Sequence, residues 1–475
     1  MVRMKRSIQR VILQPNAGEE LLFWPGKRKL VEVNEDSANL MSEYFTERGK
    51  THNNHLFFGD NYNVLCNLLT TFKEKVDLIY IDPPFESQAN YSKKILLKGM
   101  QQIDPIYERQ YEDKWSHNDY LQFIYERLQL LYTLLSPTGS IYVHCDWRKA
   151  HHIRLMLDEI FGEEQYRNEI IWKRGTVKGA KAKGKQFARN HDTIFYYTKS
   201  SEYTFNRQYI PFEKDYIKRF NKNDDDGLGP YRDDQAIGTR SIKAIEEMKK
   251  NGRIFEHKGK LRIKTYLKDL PGIVVDDNWG DIAEVNVRSK ARTMYPTQKP
   301  EKLLERIIKT SSNEGDLVLD CFSGSGTTVA VAAKLGRSFI GVDNNMCAIQ
   351  TAVERLVKQE ASFSVQTVGS TWPTRDATMQ IMVDEQANTL QLIDLDIRDV
   401  QNKLKGQTYD WKQLIDQVQI DWHYDGTVFR PTTFDFATAS QCIRGAYEMP
   451  VQTLKQLIAI QITDLFSTNY FLTIK

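Results

Sequence analysis

The sequence predicts an α/β protein with a doubly wound, mostly parallel sheet. Short apolar runs, typical of strands buried on both faces, alternate with helical patterns over residues 51–172, and the alternation returns over 295–360. Parallel sheets produce this pattern because each parallel connection needs a crossover, usually a helix. The alternation is absent from 173–294, so we expect an inserted region there. A polar arm at 1–50 and a small C-terminal domain at 361–475 complete the predicted organisation.

Local patterns define the individual elements. Strands are indicated by short apolar runs bounded by turn residues, and helices by apolar residues three or four positions apart. The predicted elements are, in order, strand 55–58, helix 64–72, strand 76–81, a helix carrying Leu121, Ile124, Leu128 and Leu131, strand 140–144, a helix from Pro300, strand 317–319, helix 327–335 and strand 338–342.

The composition argues against several classes of protein. The chain has 475 residues and five cysteines, which show neither close pairing nor metal-ligand spacing. We therefore expect a reducing compartment and no metal site. No apolar stretch is long enough to span a bilayer, so no membrane contact is expected. The net charge of +3 is too small to indicate nucleic-acid binding by itself.

Asp82-Pro83-Pro84-Phe85 directly follows the predicted strand 76–81. Two consecutive prolines remove two backbone donors, so the strand ends there and Asp82 lies at its carboxyl end, where open α/β sheets bind ligands. Asp82 and the Pro83 carbonyl can accept hydrogen bonds from an exocyclic base amine, while Phe85 stacks on a base flipped out of the duplex. The alternative interpretation is an ordinary turn with a surface aspartate.

A glycine-rich motif, D-C-F-S-G-S-G, occupies 320–326 after the predicted strand 317–319. Gly324 and Gly326 allow a tight turn and a close approach to a ligand, and Asp343 at the next strand end can bind ribose hydroxyls. A dinucleotide site would usually carry a third glycine, which is missing. The motif therefore favours a smaller nucleoside cofactor such as S-adenosylmethionine.

The two motifs together resemble those of the β class of amino-group DNA methyltransferases, including type III modification subunits. In that class a D-P-P-Y-type motif precedes the target-recognition region, and a D-P-F-x-G-S-G motif follows it, so the motif order is circularly permuted. The resemblance covers residues 52–358. The stretches that carry it are 59–61, 82–85, 136–146, 168–173, 190–197, 295–300 and 320–343.

The resemblance implies a catalytic half at 51–172, a target-recognition region within 173–294 and a cofactor-binding half at 295–360. It implies that Asp82 to Phe85 (Asp82, Pro83, Pro84 and Phe85) hold and stack the target base. The cofactor-binding residues it implies are Asp60 and Asn61 at the adenine ring, Thr297, Gln298 and Lys299 at the carboxylate, Asp320, Phe322, Gly324 and Gly326 around the methionine part, and Asp343 at the ribose.

The target base is less strongly indicated than the chemistry. Asp rather than Ser at the first motif position resembles the adenine branch of the class, whereas Phe85 replaces a commoner Tyr and does not discriminate. We expect direct in-line methyl transfer to the N6 amine of adenine in duplex DNA, dominated by positioning and electrostatics. N4-cytosine methylation and a DNA-specificity subunit with vestigial methylation remain alternatives.

A basic segment without acidic residues follows the first half of the predicted sheet. Such a segment neutralises phosphates without reading sequence, although a solvated loop is the alternative. The candidate DNA-binding residues are Lys173, Arg174, Lys178, Lys181, Lys183, Lys185 and Arg189.

The C-terminal domain is acidic, which argues against phosphate binding there. Apolar alternation around 458–463 indicates strands, so we expect a β-rich domain that contacts a second copy or another subunit. The resemblance to DNA methyltransferases predicts double-stranded DNA as the substrate. It also predicts a homodimer or a restriction or helicase subunit as a possible partner, and a DNA-associated location in the cytoplasm of a prokaryotic cell.

Overall fold

The computed structural model describes most of the chain, which divides into two compact units. The larger unit comprises 1–206 and 277–475, and the smaller one comprises 207–276. The described residues are 21–28, 36–45, 53–85, 90–99, 106–112, 116–176, 185–224, 227–286, 293, 295–375, 378–404, 409–450 and 456–474.

The first part of the larger unit supplies the strands and helices that surround the Asp82 motif. Helix α2 begins where the Ser116 side chain accepts a hydrogen bond from the Asp119 N–H, a typical N-cap. The elements are β1 (Ala38–Tyr44), β2 (His55–Phe58), β3 (Val76–Ile81), β4 (Asn90–Ile95), β5 (Ile106–Glu112), β6 (Leu135–Cys145), β7 (Tyr166–Lys173), β8 (His191–Thr198), α1 (Asn61–Phe72), α2 (His117–Leu134) and α3 (Ala150–Phe161).

The described residues of the smaller unit form short strands and short helices. Its strands form an antiparallel sheet in the order β10-β12-β11 and a separate β9-β13 pair. The elements are β9 (Tyr209–Ile210), β10 (Tyr231–Ala236), β11 (Ile254–His257), β12 (Lys260–Tyr266), β13 (Ile273–Val274), α4 (Lys214–Ile217) and α5 (Ile242–Lys250). It lies within the predicted inserted region.

The remaining part of the larger unit contains the glycine-rich motif and the C-terminal domain. The elements up to residue 368 are β14 (Asn278–Trp279), β15 (Leu317–Asp320), β16 (Ser338–Asp343), β17 (Phe363–Val368), α6 (Glu301–Ser311), α7 (Thr327–Lys334) and α8 (Met346–Val357). Those of the C-terminal domain are β18 (Thr374–Arg375), β19 (Met379–Asp384), β20 (Thr389–Leu395), β21 (Ile415–Asp421), β22 (Thr433–Phe436), β23 (Ala446–Glu448), β24 (Ile458–Asp464), β25 (Asn469–Ile474) and α9 (Arg398–Lys403).

The central sheet has the strand order β1-β17-β2-β16-β15-β3-β6-β8-β7-β14. The run from β17 to β6 is parallel, whereas β1 and β8 pair antiparallel with their neighbours. Helices α1, α2 and α3 and the strands β3, β6, β15 and β16 contribute to one buried hydrophobic cluster. The predicted doubly wound, mostly parallel α/β fold is confirmed.

The sheet extends beyond the segments in which the sequence shows a strand and helix rhythm. Strand β8 lies inside 173–294, β17 lies after 360 and β1 lies before 51. The rhythm fails at β8 because β7 and β8 are consecutive and antiparallel, and such strands need no crossover helix, whereas β17 follows helix α8 and continues the rhythm.

The C-terminal domain is built on a five-stranded sheet, β18-β25-β24-β21-β22, and a three-stranded one, β19-β20-β23. Its hydrophobic core includes Ile95 and Leu97, which belong to the segment after the Asp82 motif. Lys93 and Lys98 of that segment form ion pairs with Asp416 on β21. No helix in the described ranges is both long and apolar enough to cross a membrane.

Candidate active site

Four of the predicted site segments meet at one edge of the sheet. The strands β2, β16, β15 and β3 are adjacent and parallel, so their carboxyl ends lie side by side. Gly59, Asp343, Asp320 and Asp82 stand at or just after these four ends. Ligands of open α/β sheets bind at this edge, so the sequence motifs form a single candidate site.

The Asp82 carboxylate has one engaged and one unengaged oxygen. Its Oδ2 pairs with the Lys299 ammonium, which also lies 5.5 Å from the centroid of the Phe85 ring. Its Oδ1 is buried without a hydrogen-bond partner among the described residues. Because an unsatisfied buried acceptor is costly, Oδ1 is poised for a donor that the described residues do not provide.

One face of the Phe85 ring packs on His144, and the side chain remains partly exposed. Its ring stacks on His144, with centroids 6.1 Å apart and planes inclined by 26°. His144 is fully buried on β6, the strand next to β3. Asp82 and Phe85 thus present an acceptor and an aromatic ring at the same strand end, as the motif predicts.

The glycine-rich motif folds back on the Asp320 carboxylate. This carboxylate accepts hydrogen bonds from the Phe322 N–H at 2.9 Å and from the Thr328 hydroxyl at 2.5 Å. Gly326 has a left-handed φ of +70°, and a Cβ built there would lie 2.5 Å from the Ala352 Cβ on α8. Only glycine fits this position, because both the φ and the contact exclude a side chain.

Asp343 anchors the same turn from β16. Its carboxylate accepts hydrogen bonds from the N–H groups of Gly324 at 2.8 Å and Asn345 at 2.9 Å. Burial raises the pKa of Asp343 to about 6. Burial also raises the pKa of Asp320 to about 7, against its two hydrogen bonds and with the repulsion of the Asp82 and Asp343 carboxylates.

The raised pKa of Asp320 predicts a pH-dependent stability. The folded chain holds this proton more tightly than the unfolded one, whose Asp titrates near 3.8, so the contribution of Asp320 to stability falls as the pH rises towards 7. We expect Asp320→Asn, which cannot ionise, to gain about 2–4 kcal/mol of unfolding free energy relative to the wild type between pH 5 and pH 8. Urea unfolding of the variant and the wild type at pH 5 and pH 8 measures the difference in their unfolding free energies. A difference that is the same at both pH values would contradict the prediction.

Arg127 links Asp60 and Asn61 to the glycine-rich motif, and the sequence did not predict this role. Its Nε donates to Asn61 at 2.6 Å and its Nη2 lies 3.3 Å from the Asp60 carboxylate. Asn61 in turn donates to the Cys321 carbonyl at 2.9 Å, and the guanidinium lies 3.6 Å from the Phe123 ring centroid. Burial lowers the pKa of Arg127, and Asp60 opposes this effect. The sequence signal that could have identified Arg127 is the presence of a charged residue at a core-facing position of α2.

The 297–299 segment approaches the site from before α6. Thr297 has a φ of +60°, unusual for a residue with a side chain. The Gln298 side-chain oxygen accepts hydrogen bonds from the N–H and the hydroxyl of Thr293, at 2.7 and 3.1 Å. Lys299 pairs with the Asp82 carboxylate in this structure. Its contact with a cofactor carboxylate stays a prediction.

The described part of the basic segment flanks the same edge of the sheet. Lys173 ends β7, Arg174 follows it, and the Arg189 guanidinium lies 3.8 Å from the ring centroid of Trp147. Lys185 is exposed. The other three predicted DNA-binding residues, Lys178, Lys181 and Lys183, lie outside the described residues.

These residues fit a nucleoside cofactor with positive charge. Gly324 has a left-handed φ of +49°, and its missing Cβ leaves the backbone open beside the Tyr295 ring. Three carboxylates, those of Asp82, Asp320 and Asp343, lie together at this point; burial raises the pKa of Asp320, and repulsion by the Asp82 and Asp343 carboxylates adds to the rise. A sulfonium or ammonium group would relieve that repulsion, whereas a pyrophosphate would increase it.

The fold and this site define the class of S-adenosylmethionine-dependent methyltransferases. The sequence matches the DNA methylase family over residues 76–354, more than half of the chain. The chain therefore belongs to the DNA methylase family, in agreement with the resemblance to amino-group methyltransferases noted from its motifs.

Curated relatives include both solitary enzymes and subunits. Type II methyltransferase M.EcaI of Enterobacter cloacae is 29% identical over 370 residues, covering 72% of this chain and 79% of M.EcaI. The type III restriction-modification enzyme StyLTI Mod subunit of Salmonella typhimurium is 26% identical over 357 residues, covering 64% of this chain and 53% of the subunit. The chain thus spans about half the length of this Mod subunit.

Among solved structures, the cytosine-N4-specific PvuII DNA methyltransferase aligns with a TM-score of 0.38 and 16% identity. The alignment covers 67% of this chain and 90% of the PvuII enzyme.

Proposed function

We propose that this chain transfers a methyl group from S-adenosylmethionine to the N6 amine of adenine in duplex DNA. The observation that carries the proposal is the buried, unengaged Oδ1 of Asp82 beside the partly exposed Phe85 ring. An exocyclic amine brings a hydrogen-bond donor that this oxygen lacks, and a base brings a flat face for the ring. The bound cofactor supplies the methyl group on a sulfonium centre.

The chain's own residues position the amine. Asp82 Oδ1 accepts one of its hydrogens and the Pro83 carbonyl accepts the other, which turns the nitrogen lone pair out of the base plane. Phe85 stacks on the base, which must leave the duplex to reach this edge of the sheet. Lys299 holds the carboxylate in place through its ion pair with Oδ2. Catalysis then consists of positioning and electrostatics.

Adenine is proposed as the target because Asp, and not Ser, begins the D-P-P-F motif. The basic segment would hold DNA phosphates, and we propose double-stranded DNA in the cytoplasm as the substrate. All five cysteines are free, which suits a reducing compartment. By analogy with the StyLTI Mod subunit, a restriction subunit is the proposed protein partner, with a second copy of the chain as the other candidate.

Product analysis tests the proposed function. The protein is incubated with varied duplex DNA and isotope-labelled S-adenosylmethionine, the DNA is digested to nucleosides, and the methylated base is identified by mass. We expect N6-methyldeoxyadenosine from the wild type and none from an Asp82→Ala control. Detection of methyldeoxycytidine instead would identify cytosine, and not adenine, as the target base. No product from either protein, with DNA binding retained, would favour a specificity subunit. Sequencing of modified DNA from an expressing host gives the recognition site.

A further inference from the structure

A chain of polar contacts lies behind Phe85 and ends in the basic segment. The Tyr80 hydroxyl and His144 Nδ1 are 2.9 Å apart, and His144 Nε2 lies 3.3 Å from Asp192 Oδ2. The other carboxylate oxygen of Asp192 lies 3.5 Å from Arg174 Nη1. These four residues lie on or directly after β3, β6, β8 and β7, which are consecutive in the sheet. The contacts therefore cross the sheet from the catalytic strand to the first basic residues.

The inner members of this chain are fully enclosed. Tyr80, His144 and Asp192 are each at most 3% exposed. The edge of His144 also meets the Trp172 ring, at 5.6 Å between centroids and 83° between planes, while Phe85 stacks on its face. A buried polar network is costly unless its members are satisfied, and it then fixes one arrangement of its side chains. The imidazole on which Phe85 rests is thus held at both nitrogens.

The protonation states follow from the surroundings. Burial raises the pKa of Tyr80 well above its usual value, with the Asp82, Asp320 and Asp192 carboxylates adding to the rise, so its hydroxyl stays protonated. Burial alone would raise the pKa of Asp192, but the His144 hydrogen bond and the charge of Arg174 lower it. The ionised Asp192 carboxylate can only accept, so it takes a hydrogen bond from His144 Nε2, while the Tyr80 hydroxyl bonds to His144 Nδ1.

Arg174 is held loosely enough to change partners. Its guanidinium is 3.5 Å from Asp192 and 3.6 Å from Glu284, and the arginine side chain is 30% exposed. Both distances exceed those of good charge-assisted hydrogen bonds. A DNA phosphate offers a stronger, bidentate partner for the same guanidinium. A phosphate that takes the place of Glu284 would be linked through the guanidinium, which has five donors, to Asp192 and so to His144.

We propose that Arg174, Asp192 and His144 couple the binding of a DNA phosphate at the basic segment to the position of the Phe85 ring. Arg174 is the phosphate contact, and Asp192 and His144 are positioning residues that act through Phe85. The inference rests on the proposed DNA methylation and adds to it a link between backbone binding and stacking on the flipped base.

Two carboxylates that contact Arg174 provide a matched pair of variants. Asp192→Asn and Glu284→Gln each remove one anionic partner of Arg174, but only Asp192 reaches His144. Glu284 is 55% exposed on its side chain and has no predicted site role. Arg174→Gln, at the exposed end of the chain of contacts, is the third variant and the one least able to disturb the buried core.

The measurements are DNA affinity, the single-turnover methylation rate at saturating DNA, and the fluorescence of 2-aminopurine at the target position, which rises when that base leaves the stack. We expect Asp192→Asn to lower the rate and the fluorescence rise about tenfold with nearly unchanged affinity, as coupling of this kind usually amounts to factors of this order. Glu284→Gln should match the wild type in rate. Arg174→Gln should lose affinity and rate, and the Arg174→Gln/Asp192→Asn double variant should be no slower than the slower single variant.

Each outcome bears on a different proposal. A wild type that methylates no base overturns the proposed function. An active wild type whose Asp192→Asn and Glu284→Gln variants have equal rates overturns the coupling alone, as does a double variant whose rate losses multiply. If Asp192→Asn does not fold, Arg174→Gln decides: a loss of affinity with an unchanged rate at saturating DNA overturns the coupling.

Discussion

An Asp82→Asn variant is expected to lose methyl transfer by at least roughly 10²–10³-fold, the usual cost of removing one preorganised electrostatic contact in an active site. Asparagine keeps the size of the side chain, but it offers one acceptor and one donor group in place of two anionic oxygens. The amide cannot both pair with Lys299 and accept from a substrate amine. Single-turnover kinetics with saturating DNA and cofactor measure the effect, and cofactor affinity should stay within a few-fold of the wild type.

Asp77→Asn is the matched control for this variant. Asp77 lies on the same strand at the opposite end, where its carboxylate accepts hydrogen bonds from the Leu317 N–H at 2.9 Å and the Ser136 hydroxyl at 3.2 Å. Its substitution should lower the melting temperature and leave the rate of methyl transfer unchanged. Equal rates for Asp82→Asn and the wild type would remove Asp82 from the proposed mechanism.

Gly326→Ala is expected to be the most damaging small substitution in the glycine-rich motif. A left-handed backbone costs a non-glycine residue roughly 1–2 kcal/mol. The new Cβ would also lie 2.5 Å from the Ala352 Cβ and 2.9 Å from its Cα, and overpacking of this kind costs a further 1–3 kcal/mol or so. We expect a loss of roughly 2–5 kcal/mol in unfolding free energy, measured in urea, and a matching loss of cofactor affinity.

Gly315→Ala separates the two causes. Gly315 also has a left-handed φ, +89°, but no heavy atom lies within 4 Å of a Cβ built there. Its substitution should show only the backbone cost and leave cofactor binding intact. Similar losses at both positions would mean that the contact with α8 does not constrain the loop.

The sequence was sufficient for the parts of the fold that depend on local signals. The proline pair after β3 ends that strand by covalent geometry, and the glycines at 324 and 326 permit the tight turn after β15, so the positions of Asp82 and of the glycine-rich motif could be predicted directly. Strands β8 and β17 could not be assigned to the sheet, because pairing between distant strands has no local signature. β8 joins the rest of the sheet through β6, which ends 46 residues earlier, and β17 joins it through β2, which ends 305 residues earlier.

The site was predictable where a motif carries it and not where packing does. Asp82, Asp320 and Asp343 converge as expected, because the carboxyl ends of parallel strands share one edge. Arg127 and Asp192 lack a motif. Arg127 matters because α2 turns it towards Asn61, and Asp192 because β8 pairs with β6 and so faces His144. Such roles arise only from the tertiary structure.

The position of β17 has a consequence for dissecting this enzyme. A chain shortened at residue 360 would lose an inner strand, leaving β1 without its sheet neighbour and the edge of β2 open to water. It would also leave Lys93, 8% exposed at present, without its Asp416 partner. Deletion of residues 361–475 would thus cause a folding defect, and the inactivity of such a shortened chain would say nothing about subunit contacts. Substitutions confined to the outer surface of that domain are the informative experiment.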